Sequence, residues 1–134
     1  VIVVDTSAII AILFQEDDAG AAARVLGGAT TKFLSAANWV EAAIVVEARK
    51  GAGGSLEFDA LIERAGIELV PVTDVVARAA RAAWRRYGKG RHPAALNFGD
   101  CLAYGLAQTR ELPLLAIGKD FAKTDIVLAA GEDA

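Results

Sequence analysis

The sequence predicts a three-layer α/β/α domain over residues 1–130, built on a parallel sheet of four or five strands, with a short polar tail at 131–134. Three observations predict it. Short runs of β-branched and leucyl residues recur at 1–4, 32–35, 67–72 and 112–117, too brief for helices. Stretches with helical apolar spacing separate them, and parallel strands need such crossovers. The composition suits helices packed on a sheet: 54% hydrophobic residues, much of it alanine, but only 7% aromatic.

Val1-Ile-Val-Val4 reads as a buried strand that stops at Asp5-Thr-Ser-Ala8, where a short helix over 6–13 begins. Glu16, Asp17 and Asp18 open a second helix that runs through Ala22, Val25 and Leu26 to Gly27-Gly28, acids at its start and glycines at its end. Lys32 to Ser35 is a second strand. A long helix over 36–50 stops at Gly51-Ala-Gly-Gly54, and another follows over 56–65. The third strand, 67–72, contains Pro71, which predicts a strand end or an edge. Asp74 is expected to cap a helix over 75–87 with Val76, Ala80, Ala83 and Tyr87 on its apolar face and Arg78, Arg81 and Arg85 opposite. Gly88 to Pro93 reads as a flexible basic loop. A very apolar helix starts at Phe98-Gly-Asp100 and leads to the fourth strand, and 124–128 is a candidate fifth.

No apolar run approaches the ~20 residues of a membrane span, and no basic stretch precedes an apolar leader, so neither a membrane segment nor a signal peptide is expected. The single cysteine, Cys101, permits no internal disulfide, which fits a reducing, cytoplasmic compartment. The net charge of −3 conceals a basic stripe: six of the 14 Lys and Arg residues lie between Arg78 and Arg91, and no acid occurs from Val75 to Gly99. Such a stripe suits nucleic-acid phosphates, with Arg85, Arg86, Lys89 and Arg91 the candidate contacts. Trp39 and Trp84 are expected in the core or an interface, and His92 in a turn.

The acids carry the chemistry. Each has an ordinary explanation by itself: Asp5 as a helix cap, Asp100 as a partner of the helix dipole, Asp120 and Asp125 as turn formers. Glu41 is expected to be buried among Ala37, Ile44, Val45 and Ala48, where an unpaired carboxylate is costly. Taken together, Asp5 and Asp120 follow two strands, Asp100 opens the helix between, and Glu41 is within reach of the same sheet edge. Clustered carboxylates repel unless a cation is present, and all-oxygen donors suit Mg²⁺ or Mn²⁺ rather than zinc.

The motifs Val4-Asp-Thr-Ser-Ala8, Asn38-Trp-Val-Glu41, Asn97 to Ala107, Gly118-Lys-Asp-Phe121 and Lys123-Thr-Asp-Ile126 stand in an order that resembles the PIN-domain ribonucleases, and among them VapC-type toxins of bacterial toxin–antitoxin pairs. Arg85 to Ala94 also resembles a subgroup of those toxins. The resemblance spans the whole chain. It implies a PIN-like fold, a Mg²⁺- or Mn²⁺-dependent endoribonuclease, a structured RNA substrate such as tRNA or rRNA, a VapB-type antitoxin and a homodimer. It implies that Asp5, Glu41, Asp100 and Asp120 form the catalytic set, with Asp5, Asp100 and Asp120 as metal ligands and Glu41 holding water or a second ion. Thr6, Ser7 and Asp125 would support them, the two hydroxyls by orienting water. Where the subgroup often has a further acid, this chain has Lys119, which leaves Asp120 and Asp125 both in play for the fourth position. The Ala-rich helices between Ala8 and Ala65 offer an apolar groove to an antitoxin.

Two other enzymes of similar size fail on particular residues. A receiver domain needs an acceptor aspartate after a central strand, and a dehalogenase-type phosphatase needs an acid where Ser7 stands. The alternative from another class is a PIN-like module that binds RNA or a partner without cutting it.

Overall fold

A computed structural model describes residues 1–130, so the tail at 131–134 lies outside the described residues. The strands are β1 (Ile2–Val4), β2 (Lys32–Ser35), β3 (Ile67–Val70) and β4 (Leu114–Leu115), and the helices are α1 (Thr6–Leu13), α2 (Ala19–Gly28), α3 (Ala36–Ala65), α4 (Asp74–Tyr87) and α5 (Phe98–Arg110). The four strands form one parallel sheet in the order β3-β2-β1-β4.

Strand alternation divides the core in two. Val3 faces a cluster made with α4 and α5, through Ala80, Ala83, Tyr87, Leu102 and Leu106. Ile2, Val4, Leu34 and Leu115 face the other side, against Ile9, Leu26, Val46 and Phe58 from α1, α2 and α3. This is the expected three-layer arrangement. The buried side of α4 is the expected one, Val76, Ala80, Ala83 and Tyr87.

Several local expectations are corrected. The two helices foreseen over 36–65 run end to end as α3, and the axis breaks at Gly51, whose φ of 66° and ψ of −156° are not helical. The acids at 16–18 precede α2 rather than open it. Thr73, not Asp74, caps α4, accepting from the Val76 N–H at 3.2 Å, while Asp74 sits in the first turn and pairs with Arg78. β3 is an edge strand, as Pro71 suggested. β4 is shorter than foreseen because the Ile117 N–H goes to the Ser7 hydroxyl instead of the ladder. Residues 124–128 form no strand: a 3₁₀ turn (Phe121–Lys123) leads into them, and they give β4 only a bridge at Leu114 and Leu128.

The 88–97 loop is pinned rather than flexible. Lys89 N–H donates to the Leu96 carbonyl and Leu96 N–H to that of Tyr87, both at 3.0 Å. His92 caps a turn inside it, its Nδ1 accepting from the Ala94 N–H at 3.0 Å, and its ring stands edge-on to Tyr87. Trp39 packs on Phe58. Trp84 is not a core residue; it is 44% exposed.

Candidate active site

β1 lies inside the sheet, so the chain that leaves its carboxyl end is held by neighbours on both sides. Asp5 is the first residue past the strand and is 3% exposed. It caps α1: Oδ2 accepts from the Ser7 N–H at 3.0 Å. Its backbone N–H donates to Leu115, and the Ser7 hydroxyl accepts from Ile117 at 2.9 Å, so two bonds tie this turn to β4. Burial, with Asp100 and Glu41 nearby adding to it, pushes the Asp5 carboxyl up to about 7 despite the bonds from Ser7.

Glu41 lies in the second turn of α3, the helix that leaves β2. The buried stripe of that helix runs through Asn38, Ala42 and Val46. Glu41 is therefore half-buried on its flank, and the expected neighbour Ile44 is 63% exposed. Thr6 Oγ1 donates to Glu41 Oε1 at 2.6 Å, and Asn38 Nδ2 reaches the same oxygen at 3.3 Å. The Asn38 amide also donates to the Gly99 carbonyl at 3.0 Å, which fastens α3 to the start of α5. At Gly99 the two helices meet so closely that a Cβ would lie 2.6 Å from Glu41 Oε1 and 2.7 Å from its Cδ.

Asp100 is the third residue of α5 and half of a capping box. Asn97 Oδ1 accepts from the Asp100 N–H at 2.8 Å, and Asp100 Oδ2 accepts from the Asn97 N–H at 3.0 Å. Partial burial raises the Asp100 pKa above the usual carboxylate range, the Asn97 bond works against this, and Glu41 and then Asp120 raise it further. Asp120 is exposed on the loop after β4 and is electrostatically coupled to Asp100.

Asp5, Thr6, Ser7, Glu41, Asn97 and Asp100 line one open cleft of about 340 Å³. Asp125 is not brought to it. Its carboxylate accepts from the Tyr104 hydroxyl and pairs with Arg86 at 3.2 Å, which lowers its pKa, chiefly through Tyr104. The Thr6 and Ser7 hydroxyls, expected to orient water, are engaged in holding Glu41 and the Ile117 amide.

Of the basic candidates, Lys89 and Arg91 are exposed in the loop that ends at Asn97, beside the cleft. Arg91 stacks on Trp84 with its guanidinium 4.9 Å from the ring and donates to the Arg85 carbonyl. Arg85 is exposed near the end of α4. Arg86 is turned to Asp125 and the Tyr87 ring.

Sequence reasoning missed the roles of Asn38, Asn97, Gly99 and two further residues of the cleft, Glu16 and Arg49. A signal existed for Arg49: Glu41, Val45 and Arg49 are four apart on α3 and all line the cleft. Glu16 had none, because a helix-start role accounted for it.

The donor set is carboxylate oxygen throughout. Among the described residues no three acids, histidines or cysteines close into a protein cage. Carboxylate oxygens are the donors that a small divalent ion takes, and such an ion can bind through one or two of them and keep much of its water. Burial is the chief cause of the upward shifts of Asp5 and Asp100, and the neighbouring acids add a smaller part.

A family model described as PIN domain matches residues 2–127. Ribonuclease VapC30 of Mycobacterium tuberculosis is 47% identical over 128 residues, covering 96% of this chain and 98% of that protein. Ribonuclease VapC28 of the same organism is 50% identical over 125 residues, covering 92% and 94%. Two solved structures share the fold at low identity: Mycobacterium tuberculosis VapC20, described as a toxin that cleaves the sarcin–ricin loop, with a TM-score of 0.77 at 19% identity over 97% of this chain and 99% of that one, and a toxin–antitoxin complex from Klebsiella pneumoniae, with a TM-score of 0.71 at 18% identity over 96% and 97%.

Proposed function

This chain belongs to the PIN-domain family and to its VapC ribonucleases, and from that we propose that it hydrolyses RNA phosphodiester bonds as the toxin of a toxin–antitoxin pair, using Mg²⁺ or Mn²⁺ at the Asp5–Glu41–Asp100–Asp120 cluster. The observation that carries the metal and residue assignment is the convergence of Asp5, Glu41 and Asp100 on one cleft, with Asp120 near enough to act on Asp100.

Asp5, Asp100 and Asp120 hold the ion, directly or through water. A bound divalent ion supplies charge relief on the phosphate and a more acidic water. The protein's own part is positional. Asp5 is locked by the α1 cap and by β1. Asp100 keeps one oxygen on the Asn97 amide and turns the rest of its charge to the cleft. Glu41, fixed by Thr6 and Asn38, accepts a proton from water entering beside the phosphate. Asp120 is favoured over Asp125 as the fourth acid because the latter is committed to Tyr104 and Arg86.

The decisive experiment is cleavage of structured RNA by purified protein. Cleavage that requires Mg²⁺ or Mn²⁺ and stops with EDTA is expected. RNA binding with no cleavage at any metal concentration would leave a non-catalytic module instead.

Gly99→Ala is a second test of the geometry. Its Cβ meets the far end of a flexible glutamate, so the fold accommodates it while the Glu41 carboxylate is displaced. Cleavage should fall about tenfold or more, as for other groups that support metal sites, with melting little changed. Equal loss of stability and activity would reject this role for Glu41.

Lys89 and Arg91 contact phosphate, with Arg85 and the half-committed Arg86 in support. The Lys89→Ala/Arg91→Ala protein should flatten the plot of log affinity against log salt by about 1.4 to 1.8. An unaltered slope removes both from the interface.

No helix among the described residues is long and apolar enough to cross a membrane. We place the protein in the cytoplasm with a VapB-type antitoxin, tRNA or rRNA as substrate, and a homodimeric state. Exposed Val40, Ile44 and Leu56 on α3 support an apolar surface for the antitoxin.

A further inference from the structure

Glu41, Val45 and Arg49 stand four apart on α3, and Ile10 of α1 lines the cleft with them. The two helices leave the acids side by side and in the same direction. Thr6 and Glu41 touch at one end, and Phe14, which ends α1, meets Arg49 and Lys50 at the other. The cleft is therefore a groove along the seam of α1 and α3. The acids stand at one end, Ile10 and Val45 line its middle, and Arg49 and Glu16 close the far end. Two turns of helix place the Arg49 Cα about 12 Å along the axis from that of Glu41.

Among the described residues Arg49 is the one base that lines this cleft, and no carboxylate, Glu16 included, lies within ion-pair distance of it. Its neighbour Lys50 is committed, donating to the Leu13 carbonyl at 3.0 Å and pairing with Glu57 at 3.2 Å. Arg49 instead lies over the Phe14 ring, with its guanidinium 5.1 Å from the centroid. Covering that ring does not by itself account for the arginine, because Lys50 lies over it too, at 5.2 Å. A guanidinium placed over a ring is steadied and keeps N–H donors for another partner.

We propose that Arg49 binds the RNA phosphate next to the one at the acids, so that the strand lies along the α1–α3 groove. The proposal rests on the ribonuclease reading and adds to it the residue that sets the register of the strand. Two helical turns from Glu41, Arg49 serves a neighbouring phosphate and not the one being cut. The planar fork of its N–H groups matches a phosphate, and such a contact positions a strand without reading its sequence. Without Arg49, the end of the groove away from the metal-binding acids offers RNA only apolar surface and the Glu16 carboxylate.

The test starts from total tRNA and rRNA, in which wild-type digestion in Mg²⁺ maps a cut. A synthetic stem-loop carrying that cut is made with a methylphosphonate, which removes one charge, at each successive position around it. Binding is read with Asp100→Asn proteins, which spare the RNA. With Arg49 present, one position beside the cut should lower affinity about tenfold, as for loss of a hydrogen bond to a charged group. Arg49→Ala should lower affinity for the unmodified stem-loop by a similar factor, flatten the salt slope by about 0.7 to 0.9, and be indifferent to the methylphosphonate at that position. Arg49→Lys should keep the salt slope and regain part of the affinity. With Asp100 restored, Arg49→Ala should need more protein to reach half-saturation in single-turnover cleavage and keep its saturated rate, because this contact is made equally before and during reaction. An Arg49→Ala protein that responds to every methylphosphonate as its parent does overturns the proposal. So does a loss confined to the saturated rate. Metal-dependent cutting by the wild type alongside either result rejects the role of Arg49 alone, whereas no cutting of either RNA rejects the ribonuclease reading with it.

Discussion

Asp100→Asn should reduce RNA cleavage by more than ~100-fold while leaving the protein folded. Loss of a group that merely supports a metal ligand costs 10–100-fold, and a ligand itself costs more. The substitution is clean because asparagine is isosteric and its amide oxygen can still accept from the Asn97 N–H, so the capping box that starts α5 survives. Only the charge is removed. Asp100→Ala, by contrast, would lose the cap as well, about 1 kcal/mol of stability. Single-turnover cleavage at saturating Mg²⁺, read beside thermal melting, checks this. Wild-type rates from Asp100→Asn would remove that residue from the metal set.

Asp5→Asn should do the opposite to stability. The carboxyl is raised from 3.8 to about 7 by burial, so the folded protein holds a proton that the unfolded chain has released between those values. Stability therefore falls as pH rises from about 4 to 7, and the full penalty stands above 7. At ~1.4 kcal/mol per unit it is on the order of 4 kcal/mol at most. Asparagine keeps the shape and the bond from Ser7 without the charge. Metal-free Asp5→Asn should thus melt higher than wild type at pH 8, by up to about 10 °C, and the gap should close below pH 4. Added Mg²⁺ should raise the wild type and not the variant. A metal-free variant that melts lower at pH 8 would mean that the Asp5 charge is already compensated within the protein.

The fold was legible wherever local pattern and tertiary environment agree. Residues 32–35 are a strand in both readings, and the Val76-Ala80-Ala83-Tyr87 face of α4 follows from spacing alone. What escaped was decided by contacts between distant segments. Thr73 and Asp74 are both good caps, and the register of the chain leaving β3 chooses between them. Glu41 was expected in the core because alanines and valines on α3 look alike by composition, yet the buried stripe passes through Asn38, an amide that composition would have left outside. Asp120 and Asp125 are equivalent as loop aspartates until Tyr104 claims one of them. The acids themselves stood out in sequence because strand ends and helix starts are readable, whereas the place of Arg49 in the cleft depends on how α1 and α3 lie against one another.

The bond from Ile117 to Ser7 joins residues 110 apart, and β1 becomes an interior strand only when β4 pairs with it. A chain emerging from the ribosome makes Asp5 first but holds it on an open edge, without the Leu115 carbonyl, the Ile117 amide or the loop that carries Asp120. β4 must be made and paired with β1 before Asp5 is held in the cleft from both sides. For a ribonuclease, that order of assembly keeps the first acid out of its working setting until two segments 110 residues apart have met.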